Sequence, residues 1–416
     1  MIKKIFLSAC LFLSLISFAQ EGTSSPYSFY GIGEVKFKGT LESRSMGGLA
    51  VEPDSTHINL INPAGFSNLK LTSFTMAGTY SSTNLKTENQ TDHAQRSTLD
   101  YMAVGLPIGK FGVGFGIMPY SSVGYKIQSM ATDPTQSNQR FNGSGGVNKV
   151  FFGVGYEIAS NFTIGADVHY NFGTVEKNSL EYIVGVSLGS NESNKSELSG
   201  TNFNFGTMYQ AKINKKLSFY SSLNFSPEST LTAKNTRVVS TVQYNSAFDF
   251  VIVDALDPVV TDTKVKIAEK WTIGAGVGEA RKWLLGAQVA LQDVGDYGNN
   301  YNSVNNVVYG KYSKYSLGGY YIPNYSSFSS YAKRITYRGG FKYEKTGLII
   351  NSESITDRGL SLGAGLPITG SFSNLNVGLE FGKKGTTSAN LTQENYINLS
   401  VSFSFNDKWF NKRKFN

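Results

Sequence analysis

Period-two alternation sustained over ten or more residues, in a chain without a long apolar run, narrows the fold more than any other feature. In "NFTIGADVHYNFG", Phe162, Ile164, Ala166, Val168, Tyr170 and Phe172 alternate with Thr163, Gly165, Asp167, His169 and Asn171. "YINLSVSFSF" repeats the pattern, with Ile397, Leu399, Val401, Phe403 and Phe405 set against Asn398, Ser400, Ser402 and Ser404. Residues two apart on a strand share a face, so each segment has one apolar and one polar side. Strands of soluble sandwiches run to about 5–6 residues, whereas a strand that crosses a bilayer takes about 9–11. Beyond the N-terminus no segment approaches the ~20 apolar residues of a membrane helix. If the chain enters a membrane it crosses as strands, and those must close into a barrel because unpaired edges cannot face hydrocarbon. The 28 Phe, 24 Tyr and 44 Gly, against 16% charged residues, favour strands over helices in the same way.

Fourteen strands are predicted between residues 70 and 406, giving an all-β, fourteen-stranded antiparallel transmembrane β-barrel. Tight turns at 108–110, 159–161, 214–216, 278–281 and 369–372 alternate with long polar segments, among them 177–200 and 230–266. Short turns on one side, long loops on the other and an even strand count form the outer-membrane barrel pattern, with both barrel ends on the periplasmic, short-turn side. "NYSSFSSYAKR" after Pro323 is longer than the other turns. Tyr80, Tyr156, Trp271, Trp283 and Tyr343 near strand ends suit interfacial girdles. A soluble, exported all-β protein is the competing class.

"MIKKIFLSACLFLSLISFAQ" reads as a secretory signal, with a basic start, an apolar core and a small-x-small site ending at Ala19. "LSAC" up to Cys10 resembles a lipobox, but only about five apolar residues precede it, fewer than the ~7 an h-region takes. Cleavage after Ala19 removes the single cysteine, which excludes disulfides and thiolate metal sites, and takes the formal charge from +8 to +6 with the loss of Lys3 and Lys4. The remaining charge is dispersed; it suits contact with outer-membrane lipid and gives no nucleic-acid signature. The expected division is signal peptide 1–19, N-terminal segment 20–69, barrel 70–406 and basic aromatic tail 407–416.

Candidate chemistry is sparse. Asp167 and His169 share one strand face and point to the lumen, either as a polar lining or as part of a catalytic or metal site. "FGVGFGIMP" sets Gly112, Gly114 and Gly116 at every second position. Glycines inside a strand do not form a phosphate loop; they bare the backbone for something packed within the barrel. Pro119 removes a ladder donor and predicts a kink or side gap in the third strand, with Gly116 beside it. "RITYRGGFKYEK" places Arg334, Thr336, Arg338, Lys342 and Glu344 on one face, as an ion-pair network or an anion contact. "NDKWFNKRKFN" closes the chain as an interfacial anchor or a docking peptide. No cofactor is indicated.

One segment breaks the alternation: "RSMGGLAVEPDSTHINLINPAG", with Arg44, Gly47, Gly48, Asp54, Asn62, Pro63 and Ala64. It resembles the N-terminal hatch of the FadL/TodX family of outer-membrane transporters, and "GLPIGKFGVGFGIMPYSSVGY" and "EKWTIGAGVGEARKWLLGAQVALQD" look like that family's hairpins. The resemblance implies a hatch plugging the barrel lumen, a cell outer-membrane location, and passive uptake of hydrophobic small molecules such as long-chain fatty acids. Ligand would enter at an apolar outer groove, for which Phe248–Leu256 is a candidate, and leave sideways at the kinked third strand. No covalent chemistry is implied, so the chain is read as a non-enzyme. The basic ending looks more like Bacteroidetes relatives. Their roles include that of a non-transporting barrel subunit in a barrel-assembly or secretion complex, and that is the alternative function.

Overall fold

Alternating segments become strands here because lipid solvates one face while the other packs against an interior. A computed structural model of the chain describes residues 22–36, 38–131, 133, 135–244, 250–293 and 306–408. The expected leader, with Cys10 and Ala19, and the tail past Lys408 lie outside these residues. Fourteen antiparallel strands form one closed barrel. They are β1 Thr72–Lys86, β2 Thr91–Ile108, β3 Phe111–Ser129, β4 Asn138–Ala159, β5 Phe162–Tyr182 and β6 Leu188–Lys212. β7 runs as Leu217–Ser226 and Ser229–Tyr244; β8 runs as Phe250–Ala255, Val259–Ile267 and Lys270–Glu279. β9 Trp283–Gln292, β10 Tyr312–Tyr321, β11 Thr336–Ile350, β12 Glu353–Pro367, β13 Asn374–Lys384 and β14 Gln393–Asp407 complete it. β14 bonds back to β1 from Gln393↔Lys86 to Asp407↔Thr72, so both barrel ends lie at the short-turn rim. Among the described residues no helix is long and apolar enough to cross a membrane.

The strands overrun the bilayer. β4, β5 and β6 hold 22, 21 and 25 residues, about twice what a crossing takes. On β6 the exposed apolar band stops at Phe203, and the outward residues above it are Thr201, Ser199, Glu197 and Lys195. Lys195 and Glu197 form an exposed ion pair at 3.0 Å. The upper halves of β3 to β8 therefore form a wall standing beyond the lipid. This corrects the expectation of loops at 177–200 and 230–266. Above the lipid the outward face turns polar, so the apolar–polar contrast that marks a strand fades while the backbone ladder continues. Phe250–Ala255 is likewise strand and not a groove wall, and Phe248 lies outside the described residues.

Two interruptions matter. The β2–β3 ladder spans only Met102↔Ile117 to Ile108↔Phe111. Beyond it, among the described barrel strands, β2 pairs with β1 alone and β3 with β4 alone, and β3 shifts register between Pro119 and Ser121. A gap thus separates β2 from β3 above Pro119. A two-residue strand from the N-terminal segment, Glu34–Val35, bonds to Ser122 and Ser121 along its β3 side.

Residues 22–36 and 38–71 lie within the barrel. Their first part is an arm whose Ile32 and Phe29 pack on the inner face of the wall with Val123, Val147, Leu198 and Leu231. The chain then turns through a single helical turn, Leu41–Arg44, capped by Thr40, and a 3-10 turn, Pro63–Asn68, capped by Asn62. This second part, the hatch, spans the lumen toward the short-turn rim and leads into β1.

Candidate functional site

The hatch meets the wall backbone to backbone, which is possible only where the wall lacks side chains. An ideal Cβ placed on Gly155 of β4 would lie 2.8 Å from the Pro63 carbonyl and the Ser67 nitrogen. One on Gly114 of β3 would lie 2.7 Å from the Phe66 ring, and one on Gly378 of β13 would lie 2.7 Å from a Leu41 methyl. Gly165, Gly206 and Gly340 stand closer still to Ala64, Asn62 and Met46. This is a collar of bare backbone around the barrel, and only its first part, Gly112 to Gly116, was marked out in the sequence. From the hatch side, Gly47 takes φ +71° and its missing Cβ would lie 2.5 Å from the Phe341 carbonyl. Gly48, at φ +101°, accepts at its carbonyl from Gln288 Nε2 (3.1 Å), while Ala50 N donates to Gln288 Oε1 (3.1 Å).

Charge fixes what the collar seats. Arg44 pairs with Asp100 of β2 at 2.6 Å and donates to Thr79 Oγ1 (3.2 Å) and Ser400 Oγ (3.0 Å). Asn62 donates from Nδ2 to the carbonyls of Thr207 and Leu223, 3.1 Å each, and its Oδ1 accepts from Ala64 N (3.0 Å). Asp54 pairs within the hatch, with His57 Nδ1 at 2.8 Å. Burial works against a charged His57, but the Asp54 carboxylate outweighs it and raises the imidazole above its ordinary value. Burial alone would raise Asp54 as well, yet His57 holds it well below the usual carboxylate range. Among the described residues no cation pairs with Glu52: burial, with Asp54 adding to it, pushes it up to about 7 while Tyr320 donates to it at 3.1 Å.

A second network joins the arm to the far wall. Lys38 lies 3.3 Å from Asp357 and 3.8 Å from Glu344, and Lys384 lies 3.0 Å from Glu34. Lys342 links Asp357 (3.2 Å) to Glu380 (2.5 Å). Lys342 and Glu344 were placed on the inward face from the sequence. Asp357, Glu380 and Lys384 were missed, although strand parity on β12 and β13 turns all three inward. Arg338 also faces in and donates to Asn376 Oδ1 (3.0 Å). Arg334 is a correction: it precedes β11 in a 3-10 turn, with its guanidinium 5.3 Å over the Tyr331 ring. The turn forms because the β10–β11 connection is too long to be a hairpin.

Asp167 and His169 are together, with His169 Nε2 3.0 Å from Asp167 and Nδ1 3.1 Å from Asn202 Nδ2. His169 lines a chamber of about 290 Å³ between arm and hatch, which also takes in Lys149, Lys270, Lys314 and Gln288. Among the described residues no group of three His, Cys, Asp or Glu could hold a metal ion. A second, polar cavity of about 630 Å³ lies at the β2–β3 gap, lined by Arg44, Asp100, Pro119, Ser121 and Lys36. Gly116 lies on β3 below the register shift, against the Met102 carbonyl.

Solved structures share this architecture. The CymD monoaromatic hydrocarbon channel is 12% identical, with a TM-score of 0.58 over 92% of this chain and 100% of that one. The Ralstonia pickettii toluene transporter TbuX is 15% identical, with a TM-score of 0.59 over 94% and 99%. A Pseudomonas aeruginosa FadL homologue is 10% identical, with a TM-score of 0.60 over 90% and 99%. A search of curated proteins gave no match. Fold and plugged lumen together define a β-barrel of the FadL-type outer-membrane architecture. The sequence matches the BamG family over residues 1–416, and the chain belongs to that family.

Proposed function

We propose that this chain is an outer-membrane barrel subunit of a protein-assembly machine, with a lumen closed by a hatch that stays seated. The observation that supports this most is the seating itself, in which glycines from strands all round the wall receive the hatch backbone. A conducting barrel needs a path that opens, and withdrawing this hatch would strand Asp100 and break the Asn62 bonds to β6 and β7. An uncompensated buried charge alone costs about 3–5 kcal/mol. Membership of a family named for a barrel-assembly component supports the same reading. The chain would act without covalent chemistry, in contact with outer-membrane lipid and with other envelope proteins.

Passive uptake of hydrophobic small molecules, long-chain fatty acids included, is the second reading. The β2–β3 gap at Pro119 and the likeness in fold to hydrocarbon channels favour it.

A staple between hatch and wall separates the two. An ideal Cβ on Gly276 lies 3.1 Å from a Val51 methyl, so Val51→Cys with Gly276→Cys sits within disulfide reach. In cells carrying the oxidised staple, steady-state levels of other outer-membrane proteins are expected to match those of the parent, while a deletion strain loses them. Normal outer-membrane protein levels in the deletion strain, with loss of toluene or oleate uptake in both strains, would sink the subunit reading.

A further inference from the structure

The short-turn rim, which faces the periplasm in a barrel of this class, carries charge of one sign. Its six connections are 109–110, 160–161, 213–216, 280–282, 322–335 and 368–373. Together they hold seven Lys or Arg and no Asp or Glu. Four of the seven, Arg281, Lys282, Lys333 and Arg334, fall in two connections that touch, since Ile322 N donates to the Lys282 carbonyl at 2.7 Å.

One of these two connections is far longer than a turn requires. The other five hold 2 to 6 residues, and 322–335, between β10 and β11, holds 14. A hairpin is closed by about 2–5 residues, so the excess calls for another reason. It is built, and not slack. Asn324 N donates to the Lys333 carbonyl at 2.8 Å and closes the loop at its base. Within it Ser327 N donates to the Asn324 carbonyl (3.2 Å) and Arg334 N to the Tyr331 carbonyl (2.9 Å). Tyr337 Oη of β11 donates to the Ala332 carbonyl (3.2 Å), while Ile322 and Ser327 are buried.

What this frame displays is an aromatic apex. Phe328 is fully exposed, and Tyr325 and Tyr331 on either side of it are about half exposed. Each tyrosine carries a guanidinium: Arg281 lies 5.1 Å over the Tyr325 ring and Arg334 5.3 Å over the Tyr331 ring. Lys282 is taken up by Glu279 at 2.9 Å, whereas these two arginines rest on rings. A stacked guanidinium keeps its planar fork set for a carboxylate, which it can meet with two parallel hydrogen bonds. Exposed Phe, Tyr and Arg in one place are the residue types that anchor protein interfaces.

Lipid and a second copy fit this surface less well. A loop that lies in a membrane interface presents a continuous apolar face. Here Phe328 stands alone among Ser326, Ser327, Ser329 and Ser330. A second copy would bring an equally cationic rim against this one, and like charges across an interface oppose docking.

We propose that the β10–β11 loop is a docking knob for a periplasmic partner protein. Phe328 enters an apolar pocket of that partner, and carboxylates bordering the pocket pair with Arg281 and Arg334. The inference rests on the subunit reading and names the surface by which that subunit would be held from the periplasmic side.

p-Benzoylphenylalanine in place of Phe328, in cells making the full-length chain, tests it. Irradiation is expected to join this position to one protein, through a peptide with Asp or Glu beside apolar residues. Arg281→Glu with Arg334→Glu should cut that adduct at least about tenfold, as loss of interface anchors does, while heat-modifiable barrel migration stays as in the parent. Changing the partner's carboxylates in the mapped peptide to Lys should restore the adduct in the charge-reversed variant. The same probe at Phe372, an exposed ring on the 368–373 connection, should give at least about tenfold less of it. The proposal is overturned by no adduct, by an adduct with lipid alone or with a second copy of this chain, or by equal yield from Phe372 or from the charge-reversed variant. If envelope proteins co-purify in full with the Phe328→Ala, Arg281→Glu, Arg334→Glu variant, the docking inference fails and the subunit reading survives. If none co-purifies with the parent and a deletion strain keeps normal outer-membrane protein levels, it is the subunit reading that fails.

Discussion

Gly47→Ala tests the seating of the hatch without touching the barrel strands. Gly47 sits at φ +71°, where an L residue costs roughly 1–2 kcal/mol. The added Cβ would also lie 2.5 Å from the Phe341 carbonyl, where ordinary contact begins at 3.4 Å, so a backbone must give by about 0.9 Å (3.4 − 2.5). Overpacking of that kind costs about 1–3 kcal/mol. Together the two make about 2–5 kcal/mol against seating, or roughly 30- to 4,000-fold in the seated-to-unseated ratio at 1.4 kcal/mol per tenfold. Gly109→Ala is the control, since it has a similar φ of +64° in the β2–β3 turn but nothing within 4 Å of the new Cβ. Purified proteins would be compared by single-channel current in planar bilayers and by protease cleavage within residues 45–69. The parent and Gly109→Ala should be silent and resistant, and Gly47→Ala should give current bursts and faster cleavage. A Gly47→Ala protein as silent and resistant as the parent would refute the argument that close backbone approach holds the hatch, and equal opening by Gly109→Ala would show that φ strain alone explains it.

Arg44→Ala should loosen the hatch by about 3 kcal/mol because Asp100 is left without its cation, and Arg44→Ala with Asp100→Asn should recover much of that loss in a thermal-melt cycle. Asn62→Ala removes two bonds to wall carbonyls and should cost about 1–3 kcal/mol, read by the same protease assay. Hatch seating should weaken as pH rises from about 6 to 8. Glu52 is raised by burial to about 7, so its contribution is complete below the ordinary carboxylate pKa and is lost as pH climbs through 7. His57, which Asp54 holds above its ordinary value against the pull of burial, contributes below that value and loses its charge in the same direction. Glu52→Gln should flatten the Glu52 part of the protease–pH profile, and an unchanged profile would remove Glu52 from the account.

Where two solvents meet a strand, the sequence spelled it out. β5 and β14 could be read residue by residue because lipid and lumen impose opposite demands on alternate positions. The upper parts of β6 and β7 could not, because "LGSNESNKSELS" faces water outside and has polar partners inside, and only its backbone pairing makes it a strand. The hatch showed itself as a break in alternation, through Gly47, Gly48 and Pro63, but its partners did not. Arg44 finds Asp100 only because β2 folds beside it, and no spacing in the sequence encodes a separation of 56 residues. Asp54 instead finds its cation, His57, three residues away in the hatch itself. Parity on β12 and β13 would have found Asp357, Glu380 and Lys384, had the inward charges been traced beyond β11.

The glycine collar also bears on the order in which the molecule can be made. Leu41 to Asn68 leave the ribosome before any barrel strand, yet their contacts run from Gly114 on β3 to Gly378 on β13. Ion pairs such as Lys38 with Asp357 and Lys384 with Glu34 span more than 300 residues of chain. Contacts of such sequence separation form slowly, because long loops must close before any of them contributes. The first segment to arrive therefore waits longest for its place. It must remain soluble and unpaired until β13 and β14 are delivered, and the barrel has to close around it.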